Sequence, residues 1–223
     1  MTDFIAARAR MIDSQVRTED VSDLAVIAAM AEVPREPFVP ERAVDLAYID
    51  RSVLLKDATA GAPARYLMRP ATLAKLLQLA EIAATDKVLD VGAGTGYSSA
   101  VLARMARSVV ALDSDADLVR AAAERLSECG AANVKAVQGD LAAGYPAEAP
   151  YDVIVLEGAV ELVPQPLFDQ LGEGGRLVAI VGFGGSATGT LYTKSAGDVG
   201  RRPAFNASVR PLPGFERPKS FVF

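Results

Sequence analysis

Apolar positions along this chain follow two rhythms. Leu24, Ile27, Ala28 and Ala31 fall at i, i+3, i+4 and i+7, with Ser22 available as a cap and Pro34, Pro37 and Pro40 following. That spacing predicts one helix face, ended by the prolines. Leu73, Leu76, Leu77 and Ala80 repeat the spacing after Pro70. From Lys87 onward the rhythm changes. VLDV, SVVALD, VKAVQ, YDVIVLE and RLVAIVG read as strands, with helical patterns between them at 97–106, 115–128 and roughly 164–171, the last ended by Gly172. VIVL and LVAIV are apolar at every position, as parallel strands covered on both faces require. Alternating strands and helices predict an α/β fold, a doubly wound and mostly parallel sheet of Rossmann-like type. A helical extension precedes it. One domain is expected over 1–223, with 1–70 as the N-terminal extension and 71–223 as the α/β core. Within 46–70, LAYIDRSVLL suggests short extended pieces and DATAGAPA a loop. GTLYTK and PKSFVF predict two further strands, antiparallel by preference, and the glycines at 182–189 read as a turn.

Residues 88–96, VLDVGAGTG, carry the first chemistry. A short apolar run enters Gly92, Gly94 and Gly96 and then a helix-compatible segment, the arrangement that brings backbone N–H groups close to a nucleotide-like ligand. Asp113 closes the run SVVALD, followed by Ser114, where a carboxylate can accept from two ribose hydroxyls. Gly139, Asp140 and Leu141 follow the third strand as a polar turn. A dinucleotide fingerprint wants glycine or alanine where Tyr97 stands, and no Gly-Lys-Ser/Thr follows to make a P-loop. With Asp90 ahead of the glycines, the pattern D-x-G-x-G-x-G resembles the first motif of class I methyltransferases that use S-adenosylmethionine. The resemblance implies Asp90 near the aminoacid end of that cofactor, the glycine turn beneath it, and Asp140 facing the adenine amino group, which an acceptor-only carboxylate suits.

Composition narrows the chemistry. The chain has 223 residues, no histidine and one cysteine. Imidazole base catalysis and Ser-His triads are therefore out, and neither a cysteine-rich metal site nor a disulfide within the chain is expected. No metal is expected. Cys129, just before Gly130, reads as a small packed hydrophobe. The net charge of −5 and a pI near 4.9 argue against a nucleic-acid partner. No apolar run approaches the roughly 18–20 residues of a membrane span, and the N-terminus lacks a signal-peptide core, so a cytoplasmic protein without a membrane partner is expected.

Along most of its length the chain resembles the protein-L-isoaspartate O-methyltransferases. MIDSQVR, MAEVPREPFVPE, LAYIDRSVLL, the segment ending RPATLAK, VLDVGAGTGYSSAVLA, YDVIVLEGA and LGEGGRLVAIVG occur in that family's order. The resemblance implies transfer of a methyl group from S-adenosylmethionine to the free α-carboxylate of isoaspartyl residues in a peptide or protein. The ester then collapses to a succinimide, a route of protein repair. A carboxylate is ionised at neutral pH and is its own nucleophile, so no general base is needed. Two positions depart from the family pattern. Met68 stands where the substrate-facing serine belongs and cannot donate to a carboxylate, which leaves the catalytic residue unassigned. Glu157, after VIVL, replaces a small or hydroxyl-bearing residue; its charge would attract a sulfonium and repel an acidic substrate. Arg65, Tyr66, Met68 and Arg69 are the substrate-side candidates. Either guanidinium suits a substrate carboxylate, or pairs with Glu157 or another local acid. A different carboxylate acceptor, or a cofactor-binding sensor or adaptor without turnover, are the alternatives. Nothing in the sequence assigns an oligomeric state.

Overall fold

The computed structural model describes residues 2–216. Its N-terminal region packs α1 (Phe4–Met11), a π-helical turn at 12–16 and α2 (Leu24–Glu32). The predicted helix at α2 forms, but its details differ. Asp23, not Ser22, caps it, accepting from the amides of Ala25 and Val26. The buried face is Val26, Ile27, Ala29 and Met30, so Ile27 is buried as its spacing predicts, while Leu24 is 75% exposed and Ala28 and Ala31 also face outward. A helix this apolar offers two stripes at the same period, and periodicity alone cannot choose between them.

The extension ends in strands as well as helices. β1 (Val53–Lys56) and β2 (Arg65–Leu67) form an antiparallel hairpin, confirming extended structure within LAYIDRSVLL. Then α3 (Pro70–Ala80) buries Leu73, Leu76, Leu77 and Ala80 as its spacing predicts.

The core is a seven-stranded sheet built from β3 (Lys87–Val91), β4 (Ser108–Asp113), β5 (Val134–Gln138), β6 (Tyr151–Val160), β7 (Leu171–Val181), β8 (Thr188–Ser195) and β9 (Asp198–Asn206). Its order is β5-β4-β3-β6-β7-β8-β9. The first five are mutually parallel, and β8 and β9 return antiparallel. The intervening helices are α4 (Tyr97–Ala103), α5 (Ala116–Glu128) and α6 (Gln165–Asp169). Gly172 does not end α6. It lies inside β7, and Gln170 is the cap. The second tail strand is β9, and PKSFVF lies outside the described residues.

Alternate strand residues feed two cores. Val88, Val109, Val153 and Val178 join the helices α2–α5 and the N-terminal region in one cluster; Leu89, Val110, Ile154 and Leu177 join Leu167, Leu212 and Phe215 in the other. Strand order reverses at β3, which has β4 on one side and β6 on the other. Ligands of open α/β sheets bind outside the strand ends at such a point. Among the described residues, no helix is long and apolar enough to cross a membrane.

Candidate functional site

The crevice at the β3 end begins with the glycine turn. Gly92, Gly94 and Gly96 have φ of +83°, +59° and +94°, which side chains disfavour. The Gly92 and Ala93 amides donate to the Leu112 carbonyl at 2.8 and 3.1 Å, so the turn is pinned to the end of β4.

Asp90 is fully buried beneath this turn, and its Oδ2 accepts from the hydroxyls of Ser98 and Ser99 at the start of α4. Burial is the main cause raising its pKa to about 6; the two serines oppose the shift, and the charge of Asp113 adds to it. Glu157 sits in β6 where the pairing with β7 is bulged between Val155 and Ala159. Its pKa is raised well above the ordinary value, first by burial and then by Asp90, with Arg35 opposing. Its buried Oε1 has no hydrogen-bond partner among the described residues.

These shifts set a sign for stability against pH. Asp90 is raised above its unfolded value of about 4, so between about pH 4 and 6 the folded state holds the extra proton. Its contribution is therefore fully present below about pH 4 and is lost as pH rises through about 6. Glu157 acts in the same direction. Denaturant midpoints measured from pH 5 to pH 8 are expected to fall, and Asp90→Asn, which keeps an acceptor for both serines, to flatten that slope. An unchanged slope in the variant would show that Asp90 is not the titrating group.

Asp113, 1% exposed, closes β4. Its oxygens accept from Arg65 at 2.6 and 2.7 Å, from the Gly94 amide at 2.8 Å and from the Asp115 amide at 3.0 Å. Arg65 thus bridges the β1–β2 hairpin to the sheet, and a second tether lies beside it. Lys56 of β1 pairs with Asp115 and Asp117 at the start of α5, at 2.6 and 3.0 Å. The hairpin is held face down on the glycine turn.

The sequence candidates separate into groups. Arg65, Tyr66, Met68 and Glu157 line one crevice; Asp113 and the glycine turn adjoin it through the Arg65 and Gly94 hydrogen bonds, and Asp90 is buried behind them. Tyr66 stacks under the Arg210 guanidinium, 5.0 Å from ring centre. Arg69 belongs elsewhere: it pairs with Glu19 at 3.2 Å and Asp50 at 3.4 Å and borders a separate cleft with Lys75 and Phe205. Ser114 is exposed, and its carbonyl accepts from Gln138. Gly139 donates its amide to the Asp113 carbonyl, exposed Asp140 accepts from the Ala142 amide, and Leu141 is buried in the second core. Cys129 caps α5 and is only partly buried.

Several site residues have no signal in the sequence. Arg35 is fully buried 4.6 Å from the Tyr97 ring centre, donating to the carbonyls of Ala47 and Met68. Leu212 packs on the glycine turn: a Cβ built on Gly92 would lie 2.5 Å from its Cδ1. Ser98 and Ser99 are legible in principle, as hydroxyls in the first turn of the helix after a buried acid.

Comparison with known proteins agrees with this architecture. A family model described as protein-L-isoaspartate(D-aspartate) O-methyltransferase matches residues 7–210. A protein-L-isoaspartate O-methyltransferase of Methanoculleus marisnigri is 40% identical over 175 residues, 78% of this chain and 77% of that protein. One from Koribacter versatilis is 37% identical over 214 residues, 96% of this chain and 94% of its own. A solved protein-L-isoaspartate O-methyltransferase superposes with a TM-score of 0.80 at 26% identity, covering 93% of this chain and 66% of that one, just under two thirds. A Plasmodium falciparum structure described as such an enzyme in complex with S-adenosyl-L-homocysteine has a TM-score of 0.77 at 20% identity, covering 95% of this chain and 99% of that one, and shares the fold.

Proposed function

The chain belongs to the protein-L-isoaspartate O-methyltransferase family, and from that premise we propose an S-adenosylmethionine-dependent carboxyl O-methyltransferase that acts on isoaspartyl residues of peptides or proteins. The observation that carries the reading is that the Gly92–Gly96 turn and Asp113, joined through the Gly94 amide, stand with buried Asp90 at the reversal point of the sheet. The two parts, 1–70 and 71–223, work as a single unit, because the hairpin of the first forms a wall of the crevice of the second. We place the protein in the cytoplasm and assign it no nucleic-acid partner, in keeping with its acidic balance.

The side chains suit the cofactor chemically. Asp113 has the two acceptor oxygens that suit a ribose diol, the turn offers bare backbone, and Glu157 offers an unpartnered oxygen toward a positive centre. When bound, the cofactor supplies a methyl group activated on a sulfonium. The protein's work is then positioning and exclusion of water. Tyr66 and Met68 give the crevice wall an apolar surface that strips water from an acceptor carboxylate. The Arg210 guanidinium beside Tyr66 provides charge-assisted donors to orient that carboxylate. Glu157 works against an anionic acceptor unless it holds its proton, which its raised pKa favours.

The test is methyl transfer from labelled cofactor to an isoaspartyl peptide and to its matched aspartyl peptide. Label on the first alone is expected. Label on neither, with cofactor binding intact, would reject the substrate assignment and favour another carboxylate acceptor or a sensor. Met68, 4% exposed, lacks a donor at the acceptor wall. Met68→Ser is expected to raise turnover on the isoaspartyl peptide, read as a gain in kcat/KM.

A further inference from the structure

The crevice is already filled by the chain itself. Between Arg65, Tyr66, Met68, Glu157 and Leu212 only a cavity of about 10 Å³ remains. That is room for about one water molecule, whereas ligand sites occupy a few hundred Å³. We propose that Arg65 and Leu212 form an internal latch that occupies the cofactor's place, so that S-adenosylmethionine binds only after the 209–215 strap lifts and Arg65 lets go of Asp113. This rests on the cofactor reading above.

Asp113 supplies the chemical argument. A carboxylate has about four lone-pair sites, and here all are engaged, two by the parallel N–H groups of Arg65 and two by the amides of Gly94 and Asp115. The amide bonds belong to the turn and to the start of α5, so they stay. Two ribose hydroxyls would need the two sites Arg65 holds. The guanidinium fork is thus a stand-in for the diol, and the two exclude each other.

Leu212 supplies the steric argument. The missing side chain of Gly92 is the space that lets a ligand approach the backbone, and the Leu212 side chain fills it. The strap that carries Leu212 is joined to the sheet by a short run of backbone hydrogen bonds and is anchored by Leu212 and Phe215, both buried in the second core. Ala159 donates to the Arg210 carbonyl at 3.0 Å, Leu212 donates to the Ala159 carbonyl at 2.8 Å, and Glu161 donates to the Phe215 carbonyl at 3.3 Å. It lies along the bulged end of β6, beyond the regular ladder. Local opening of such a segment costs less than global unfolding, and here the cost is drawing Leu212 out of the second core.

A latch closed about nine-tenths of the time lowers apparent affinity about tenfold. The test is calorimetric binding of S-adenosylhomocysteine to the whole chain and to Leu212→Ala, Arg65→Ala and the double variant. Tighter binding in each is expected, by about tenfold in the double. Hydrogen exchange on the wild-type chain gives a second readout: saturating ligand should remove protection of the Leu212 amide. Wild-type binding that no variant improves, with Leu212 still protected, overturns the latch and leaves the methyltransferase reading standing. No binding by any form, the double variant included, overturns the cofactor reading itself and the latch with it.

Discussion

Asp113→Ala is expected to abolish detectable cofactor binding and to lower folding stability by about 3–5 kcal/mol, the usual cost of breaking a buried ion pair from one side. The variant strands the Arg65 guanidinium, 7% exposed, whose ion pair among the described residues is with Asp113. The Gly94 and Asp115 amides lose their acceptor as well. For a chain of this length the loss corresponds to a fall in melting temperature on the order of 10 °C. Arg65→Ala removes the same pair from the other side at lower cost, because Asp113 keeps both amide donors. Equilibrium denaturation of the two variants in parallel checks the asymmetry. Arg65→Ala costing more than Asp113→Ala would show that the pair is not organised around the carboxylate.

Arg35→Met is expected to destabilise by about 2–4 kcal/mol despite keeping much of the side-chain volume, since each buried polar group left unsatisfied costs about 1–3 kcal/mol. Arg35 is 0% exposed. Burial lowers its pKa, with the neighbouring Tyr97 ring and hydroxyl opposing that shift. Its guanidinium donates to the carbonyls of Ala47 and Met68, one before the hairpin and one between β2 and α3. Methionine leaves both carbonyls without a donor and takes away a cation that offsets Glu157. The effect therefore reaches the acceptor wall: the Met68 backbone is no longer held, and a rise in KM for the acceptor should accompany the stability loss. Denaturant unfolding and steady-state kinetics on one preparation check both. Full stability in Arg35→Met would mean that water replaces the guanidinium at both carbonyls.

The parts legible in the sequence are those whose physics is local. The β3 turn was readable because three positive-φ positions in five residues demand glycine. The parallel strands β6 and β7 were readable because burial on both faces leaves an unbroken apolar run. Helix α3 was readable because its stripe has a single solution. Strand β9 was not: it is an edge strand, mostly exposed, and it carries Pro203 and two arginines, so neither alternation nor an apolar run marks it. Nearness in sequence groups Arg69 with Arg65, yet residues four apart around the end of β2 point to different clefts.

Sequence alone determined the α/β architecture, the glycine turn with its flanking acids, and the family to which the chain belongs, since each is written in residues close together or in a fixed order. Tertiary structure alone decided who meets whom in the crevice. Arg65 reaches Asp113 across 48 positions, and Leu212 covers Gly92 from the far end of the chain. Contacts between segments so far apart depend on how the hairpin and the strap fold back over the sheet, and no local pattern encodes that path.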